Sequence, residues 1–173
     1  CELVIGRRIE LSWSCNLRAT MADAALLEMM KAAGCWQIAY GVESGSQQVL
    51  DFIRKGITTE GVMEAVSLTR RAGIVSKGYI MLGTLIETEQ TCRQTLDFVT
   101  RLPLDLLTVN HFTPYPGTLD YTRAEQYGYF DRDPRGLNEH NLAFVPFGLS
   151  PEKLEGFVTR ITRAFYLRPR IFW

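Results

Sequence analysis

The chain has 173 residues, 46% of them apolar, and its 19 Lys and Arg balance its 19 Asp and Glu to a net charge of zero. That length suits roughly one domain with a real core, and zero net charge supplies no global field to draw the chain onto nucleic acid or an anionic membrane. Charged residues or glycines break every apolar run before the ~18 residues of a membrane span, and Cys1, Cys15, Cys35 and Cys92 make neither a C-x-x-C pair nor a disulfide framework, so a cytoplasmic protein with four reduced thiols is expected.

The chain begins at Cys1 without an initiator Met, a charged n-region or an apolar h-region, and is read as a piece of something longer. Ile9, Leu11 and Trp13 alternate with Arg8, Glu10 and Ser12, which predicts a first strand ending at the polar loop Ser14–Ala19. Thr20, three residues before Asp23, resembles a capping box worth about 1 kcal/mol, and Leu26, Leu27, Met30 and Ala33 continue at helical spacing until Gly34. Trp36, Ile38, Tyr40 and Val42 predict a second strand. The turn Glu43-Ser44-Gly45-Ser46 and a helix carrying Val49, Leu50 and Ile53 follow.

Thr58 caps the next helix, with Val62, Ala65, Val66, Thr69 and Ala72 on its inner stripe, and Gly73 ends it before the strand Ile74–Leu82. A loop over Gly83–Glu87, a helix from about Thr88 to Arg101, a break at Pro103 and the strand Leu106–Phe112 complete the rhythm. The tail reads as a Pro-Gly turn over Thr113–Thr118, a helix to about Gly128, an irregular stretch from Tyr129 to Leu149, and a last helix capped by Ser150 with Pro151 at its first position. Leu154, Phe157, Val158, Ile161 and Phe165 give that helix an apolar stripe.

Strand starts near Ile9, Trp36, Ile74 and Leu106 lie 27, 38 and 32 residues apart, room for crossover helices rather than hairpins. The fold class is therefore α/β, with a parallel sheet covered by helices. Four strands cannot close a parallel barrel of eight, so the sheet is either open or part of a barrel, and its first edge is expected to pack edge to edge in a homodimer. Residues 1–128 are assigned to the sheet domain and 129–173 to an irregular segment and helix packing on it.

Ligands of parallel α/β folds gather beyond the carboxyl ends of the strands. Those exits carry Asn16 and Arg18, then Glu43-Ser44-Gly45-Ser46, then Gly83-Thr84-Leu85-Ile86-Glu87, then His111-Phe112-Thr113-Pro114-Tyr115. Structural roles stay open for each: Ser44 or Ser46 as an N-cap, Glu43 as a helix-dipole partner, Arg18 as a solvated loop cation. His111 is an acid, base or ligand candidate and His140 says less. Gly-rich phosphate, H-E-x-x-H and G-x-S-x-G motifs are absent, as are basic clusters interleaved with aromatics.

Gly41-Val42-Glu43-Ser44-Gly45-Ser46, followed by Val49-Leu50 and Lys55-Gly56, resembles a signature of radical S-adenosylmethionine enzymes, especially the group with an N-terminal cobalamin-binding domain. Gly83 with Glu87-Thr88 is similar to that family's Gly-x-Pro-Gly-Glu-Thr loop, departing from it at Leu85 and Ile86. Pro114-Tyr115-Pro116-Gly117-Thr118 is similar to its turn after the sixth strand, and Phe165-Tyr166-Leu167-Arg168-Pro169 to the end of its barrels.

The resemblance implies a truncated parallel (β/α) partial TIM barrel, about strands three to six of six, with a C-terminal helix. It places Glu43, Ser44, Gly45 and Ser46 beside the ribose and amino-acid part of S-adenosylmethionine, Ile80 or Met81 at the adenine, Gly83 in the adjoining loop, the backbone of Phe112 and Thr113 at the adenine edge, and Arg18 at the methionine carboxylate. His111 and Tyr115 are the nearest substrate candidates. The C-x-x-x-C-x-x-C loop that holds the family's [4Fe-4S] cluster is nowhere in the sequence, which assigns no metal ligand here and leaves the chain inactive by itself. The full protein is expected to cleave S-adenosylmethionine to methionine and a 5′-deoxyadenosyl radical for oxidative cyclisation, as in the anaerobic magnesium-protoporphyrin ester cyclase type, or for methyl or methylthio transfer. Its partners would be a small-molecule substrate, the missing N-terminal part and cobalamin on a missing domain. Two rivals are a cluster-independent lyase or hydrolase using Glu43 and His111, and a non-catalytic scaffold binding a partner at its sheet edge.

Overall fold

A computed structural model describes residues 1–168. The chain runs through a one-turn helix α1 (Glu2–Gly6), β1 (Trp13–Asn16), α2 (Ala24–Ala32), β2 (Cys35–Glu43), α3 (Gln47–Phe52), α4 (Thr59–Arg71), β3 (Val75–Leu82), α5 (Glu89–Arg101) and β4 (Leu106–His111). Then come α6 (Leu119–Arg123), the short strands β5 (Gly128–Phe130) and β6 (Phe144–Pro146), and α7 (Pro151–Tyr166). The first four strands form one parallel sheet in the order β1-β2-β3-β4, while β5 and β6 pair separately and antiparallel. The alternation of β and α elements delivers the expected α/β class.

The amino end differs from expectation. Residues 2–6 are helical and none is buried. The first strand begins at Trp13 rather than Ile9, because pairing with β2 defines it and the alternating Ile9 and Leu11 are 47% and 49% exposed. The cap of α2 is Asp23, whose Oδ1 accepts from the Leu26 N–H at 3.0 Å, not Thr20, which lies in a 3-10 turn. At the other end, the helix expected up to Gly128 stops at Arg123 and passes into a 3-10 turn, and the stretch expected to be irregular contributes β5 and β6.

The described chain divides into two compact units. The first holds Cys1–Val42, Ile57–Tyr79 and Arg101–Thr108. Within it β1 pairs with β2 from Trp13↔Cys35 to Asn16↔Ala39, with a bulge between Trp13 and Ser14. The Trp13 indole donates to the Ala33 carbonyl at 2.7 Å, tying α2 to β1. Thr58 caps α4 as expected, its hydroxyl accepting from Gly61 N–H at 3.0 Å. Tyr40 on β2 and Thr69 on α4, both fully buried, meet at 2.7 Å. Because the Thr69 hydroxyl proton is given to the Ala65 carbonyl, the phenol is the donor of this pair.

The second unit holds Glu43–Gly56, Ile80–Thr100 and the chain from Val109 onward. Its apolar centre is Leu85, Phe112, Ala124 and Phe144, with Phe52, Met81, Tyr127 and Phe130 against it. Phe112 and Phe144 meet edge to face at 5.8 Å, the geometry their ring quadrupoles favour. Helix α7 buries Leu154, Phe157, Ile161 and Phe165, and Ser150 caps it through the Lys153 N–H, matching the stripe and cap read from the sequence. Pro169 of the tail motif lies outside the described residues.

Tyr40→Phe removes one buried neutral hydrogen bond and only the hydroxyl oxygen from the packing. It should lower unfolding stability by about 1 kcal/mol, read as a shift of the urea midpoint at unchanged slope. An unmoved midpoint would show that the phenol contributes nothing to holding α4 on the sheet.

Candidate site at the strand exits

The residues after β2, β3 and β4 belong to the second unit, whereas Arg18, exposed beyond β1, belongs to the first. Glu43 ends β2 with φ +63°, a left-handed backbone that costs a non-glycine residue roughly 1–2 kcal/mol. Its Oε1 lies 2.5 Å from the Lys55 ammonium, and both side chains are partly exposed. Lys55 reaches back because Arg54 and Gly56 on either side of it are also left-handed, at φ 53° and 66°, turning the chain after α3.

The rest of that turn is spent on α5. The Thr95 hydroxyl donates to the Thr91 carbonyl at 3.0 Å and accepts from the Ser44 hydroxyl at 3.1 Å and the Gly45 N–H at 3.0 Å. Ser44 in turn accepts from the Ser46 N–H at 3.1 Å. A Cβ on Gly45 would stand 2.5 Å from Phe98 Cβ and 2.7 Å from Thr95 Cα, so only glycine lets the turn lie this close to the helix. Ser44 and Ser46 are buried, and Ser46 precedes α3 without a side-chain cap bond. Glu43 is the polar side chain of this turn that stays partly open.

After β3, Gly83 is left-handed at φ +85° and the loop closes on Glu87, which is 1% exposed. Its carboxyl group accepts from the Thr84 hydroxyl at 3.2 Å, from the Thr91 hydroxyl, and from the N–H groups of Gly83 and Thr84. Burial pushes the group above the usual carboxylate range, and these four donors pull the other way. Thr88 and Thr91 exchange side-chain bonds with each other's backbone N–H at 3.2 and 3.0 Å, a reciprocal cap on α5. Leu85, at the place where the sequence pattern departs from Pro-Gly, enters the aromatic core. Ile80 is buried at 1% exposure, and Met81 is half-buried beside that core.

After β4, His111 is buried and turned to α7, its Nε2 3.2 Å from Glu155 Oε1, while its buried Nδ1 has no hydrogen-bond partner among the described residues. Its N–H donates to the Glu139 carbonyl at 2.9 Å, and the Thr113 hydroxyl to the Asn138 carbonyl at 2.9 Å. The Phe112 N–H donates to the Leu82 carbonyl at 2.7 Å. Tyr115 is exposed and reaches Glu139 Oε2 at 3.4 Å. Glu43 and His111 thus take Lys55 and Glu155 as partners.

The family model of the Radical SAM superfamily matches residues 2–99, a span that includes the Glu43 turn and Glu87. The chain belongs to this superfamily. It is 27% identical to an uncharacterized methyltransferase, PH0819, of Pyrococcus horikoshii, over 94% of the chain and 36% of that protein. It is 28% identical to the anaerobic magnesium-protoporphyrin IX monomethyl ester cyclase of Cereibacter sphaeroides, over 99% of the chain and 29% of that protein. The chain therefore spans about a third of the length of these curated relatives. Among solved structures, the radical S-adenosylmethionine methyltransferase TsrM of Kitasatospora setae, with tryptophan and a S-adenosylmethionine analogue bound, superposes with TM-score 0.75 at 18% identity, over 98% of this chain and 40% of TsrM. A second structure of TsrM, with cobalamin and a [4Fe-4S] cluster bound, gives 0.63. The shared fold is the parallel partial barrel of radical SAM enzymes.

The thiols of this radical SAM chain do not fit a cluster. Cys1 is exposed, Cys15 intermediate, Cys35 and Cys92 buried, and burial pushes the Cys35 thiol up to about 11. Among the described residues, no three His, Cys, Asp or Glu side chains come together to hold a metal ion. Nor is any described helix long and apolar enough to cross a membrane. Three residues of the site escaped the reading of strand exits. Lys55 was visible as part of the signature but its partner was not, Thr95 looks like an ordinary position of an amphipathic helix, and nothing local marks Glu155 as the partner of His111.

Thr95→Val keeps the shape of α5 but strands the partly buried Gly45 N–H and the buried Ser44 hydroxyl, and should cost about 1–3 kcal/mol in urea unfolding. A cost below 0.5 kcal/mol, ~RT at room temperature, would deny the turn its anchor. For Glu87, the folded-state pKa is raised by burial, so its contribution is full below the unfolded-state value and is lost as pH rises through the folded one. Stability of the wild type relative to Glu87→Gln should therefore decline with rising pH from about 4. A flat or rising difference across the acid range would overturn this sign.

Proposed function

We propose that this chain is the nucleoside-binding part of a radical SAM enzyme, with Glu43 accepting from the ribose hydroxyls of S-adenosylmethionine. One observation carries the reading. In a segment that matches the superfamily, a carboxylate ends β2 on a left-handed backbone, ion-paired and partly open, while the Ser44 hydroxyl and Gly45 N–H of its turn are taken by Thr95 of α5. Backbone strain held in place by its surroundings is common at ligand sites. Here Gly45 and Thr95 hold it.

The residues fit the nucleoside in complementary ways. Met81 offers apolar surface for an adenine, Gly83 and the backbone of Phe112 and Thr113 would lie at its edge, and the buried Ser44 and Ser46 shape the turn rather than touch the ligand. His111, pinned to Glu155, would hold α7 near the exits, with Tyr115 and Glu139 nearest to an incoming small-molecule substrate. S-adenosylmethionine, bound in a full-length protein that also carries the cluster, supplies the radical or, with cobalamin, the methyl-transfer chemistry, while the protein supplies position and electrostatics. The cysteines of this chain leave cluster binding to a segment outside it, so the chain alone would bind nucleoside without cleaving it. Oxidative cyclisation, methyl transfer and methylthio transfer are the reaction classes that the relatives support, in a cytoplasmic protein without nucleic-acid partners. β1 has a sheet neighbour on one side, so its other edge is where a further strand, from a longer chain or a second copy, would add.

The test is calorimetric titration of the anaerobically reconstituted full-length protein with S-adenosylmethionine, wild type against Glu43→Gly. The glycine relieves the left-handed backbone of roughly 1–2 kcal/mol but adds about 0.5–1 kcal/mol of chain entropy and loses an ion pair of about 0–1 kcal/mol. Unfolding stability should stay within about 1 kcal/mol of wild type while affinity falls at least ~10-fold. Wild-type protein that fails to bind, or a variant that binds equally well, would refute the reading.

A further inference from the structure

We propose that the face of the parallel sheet turned away from α2 and α4 holds a ligand with an apolar body and one carboxylate, and that Lys77 is its anion contact. The residues concerned lie wholly in the first unit. Bonds tell the two faces apart. Trp13 of β1 reaches Ala33 at the end of α2, and Tyr40 of β2 reaches Thr69 of α4, so these residues mark the helix side. A Cβ on Gly78 would stand 3.3 Å from the Val42 side chain, which puts Gly78 of β3 on the side of Val42 and Tyr40. Alternation along the strands then gives the other side Asn16, Gln37, Lys77, Tyr79 and Thr108. Parallel strands buried on both faces read as near-continuous apolar runs. This second face is polar, with Asn16 exposed and the other four half-buried, so it is built to meet something other than a core.

Lys77 decides the class of ligand. Its ammonium lies over the Tyr79 ring, 4.6 Å from the centroid, and has no carboxylate partner among the described residues. It is also the one charged side chain in the strand segments that the first unit contains. The ring aims the charge along the face, and a cation half withdrawn from water gains more from an anion than a fully solvated one does. One cation matches one negative charge, whereas a phosphate, with up to two, calls for more donors or an arginine fork. A carboxylate fits. The Asp105 N–H donates to the Ser76 carbonyl at 3.0 Å, which sets Leu106 of β4 beside Lys77. Leu106 is exposed while Leu107 is buried, and with Val75 it offers the ligand's body an apolar surface next to the ammonium. Taking this carboxylate to be the substrate's rests on the reading above, while the site itself rests on the sheet.

The full-length protein would be titrated calorimetrically with naphthoate, its neutral amide and naphthyl phosphate, as wild type, Lys77→Met, Lys77→Gln and Lys77→Arg. Wild type should prefer naphthoate to the amide at least ~10-fold, the scale of a hydrogen bond to a charged group, and should not favour the phosphate. Either neutral variant should prefer naphthoate less than ~3-fold, and Lys77→Arg, which keeps the charge, should retain most of the preference. A preference that survives in a neutral variant folded by circular dichroism overturns the proposal, as does wild type that favours the phosphate or binds none of the three. If neither neutral variant folds, the wild-type preference is followed against added potassium chloride. Screening should shrink it, and a salt-independent preference would remove the ammonium from the site. S-adenosylmethionine, titrated alongside, should bind every folded Lys77 variant as it binds wild type. A loss of its affinity in step with that of naphthoate would assign Lys77 to the cofactor and overturn the proposal. Wild type that keeps the naphthoate preference but does not bind S-adenosylmethionine would refute the nucleoside reading alone.

Discussion

The close approach of one turn to one helix governs the arrangement of this site. Gly45 lies against α5 with no room for a Cβ, and the Thr95 hydroxyl accepts from that turn at two points while donating to its own helix. A hydroxyl has one proton and two lone pairs, so Thr95 is saturated and the turn has one placement that leaves no buried donor stranded. Glu43 is the residue immediately before the anchored part. Its left-handed backbone follows from having to leave a straight strand and enter a turn whose position α5 has already fixed.

Two carboxylates mark neighbouring exits, and their environments give them opposite work. Glu87 is buried and encircled by hydroxyl and backbone donors, which makes it the hub of the loop after β3 and the start of α5. Glu43 is partly exposed with a cation on one oxygen, which leaves it capacity for a ligand. Because α5 is capped through Thr91, the residue that also donates to Glu87, and anchored to the turn through Thr95 one helical turn later, the two exits share a single rigid helix. Removing the buried carboxylate would loosen the helix on which the other one depends.

Most of the fold is written in local signals, and the exceptions share a cause. Helices α4 and α7 announce themselves by caps at Thr58 and Ser150 and by apolar stripes that are buried except at Ala72 and Val158, which are half-buried. Strands β2 and β3 are long, and most of the residues they bury are apolar. β1 misleads because it is a four-residue edge strand whose limits are set by hydrogen bonds to β2, and the alternation just before it is a row of exposed residues. β5 and β6 have three residues each, too few for any period to show, and are held by aromatic contacts such as Phe130 with Phe144 at 6.4 Å. The exits were legible because parallel topology fixes which loops share an end of the sheet. Their partners were not, because Thr95 lies 50 residues beyond Gly45 and Glu155 lies 44 beyond His111, and no local rule connects such pairs.

The same contrast bears on how much of the family signature reflects ligand contact. Of the run from Gly41 to Ser46, Ser44 and Gly45 are accounted for by packing and hydrogen bonds to α5, and Ser46 by burial and its N–H to Ser44. Of the run from Gly83 to Thr88, Glu87 and Thr88 are accounted for by the loop and the helix cap. Leu85 shows that the loop tolerates a bulky residue at its tip when an aromatic pocket receives it, because the shape is enforced from below by Glu87 and not by a proline or glycine at the top. A motif can therefore survive at these positions for the sake of the scaffold alone. Glu43 is the residue for which the scaffold gives no sufficient reason, since a glycine there would remove its backbone cost and an exposed ion pair returns little. That imbalance is the physical ground for the proposed ligand contact at Glu43.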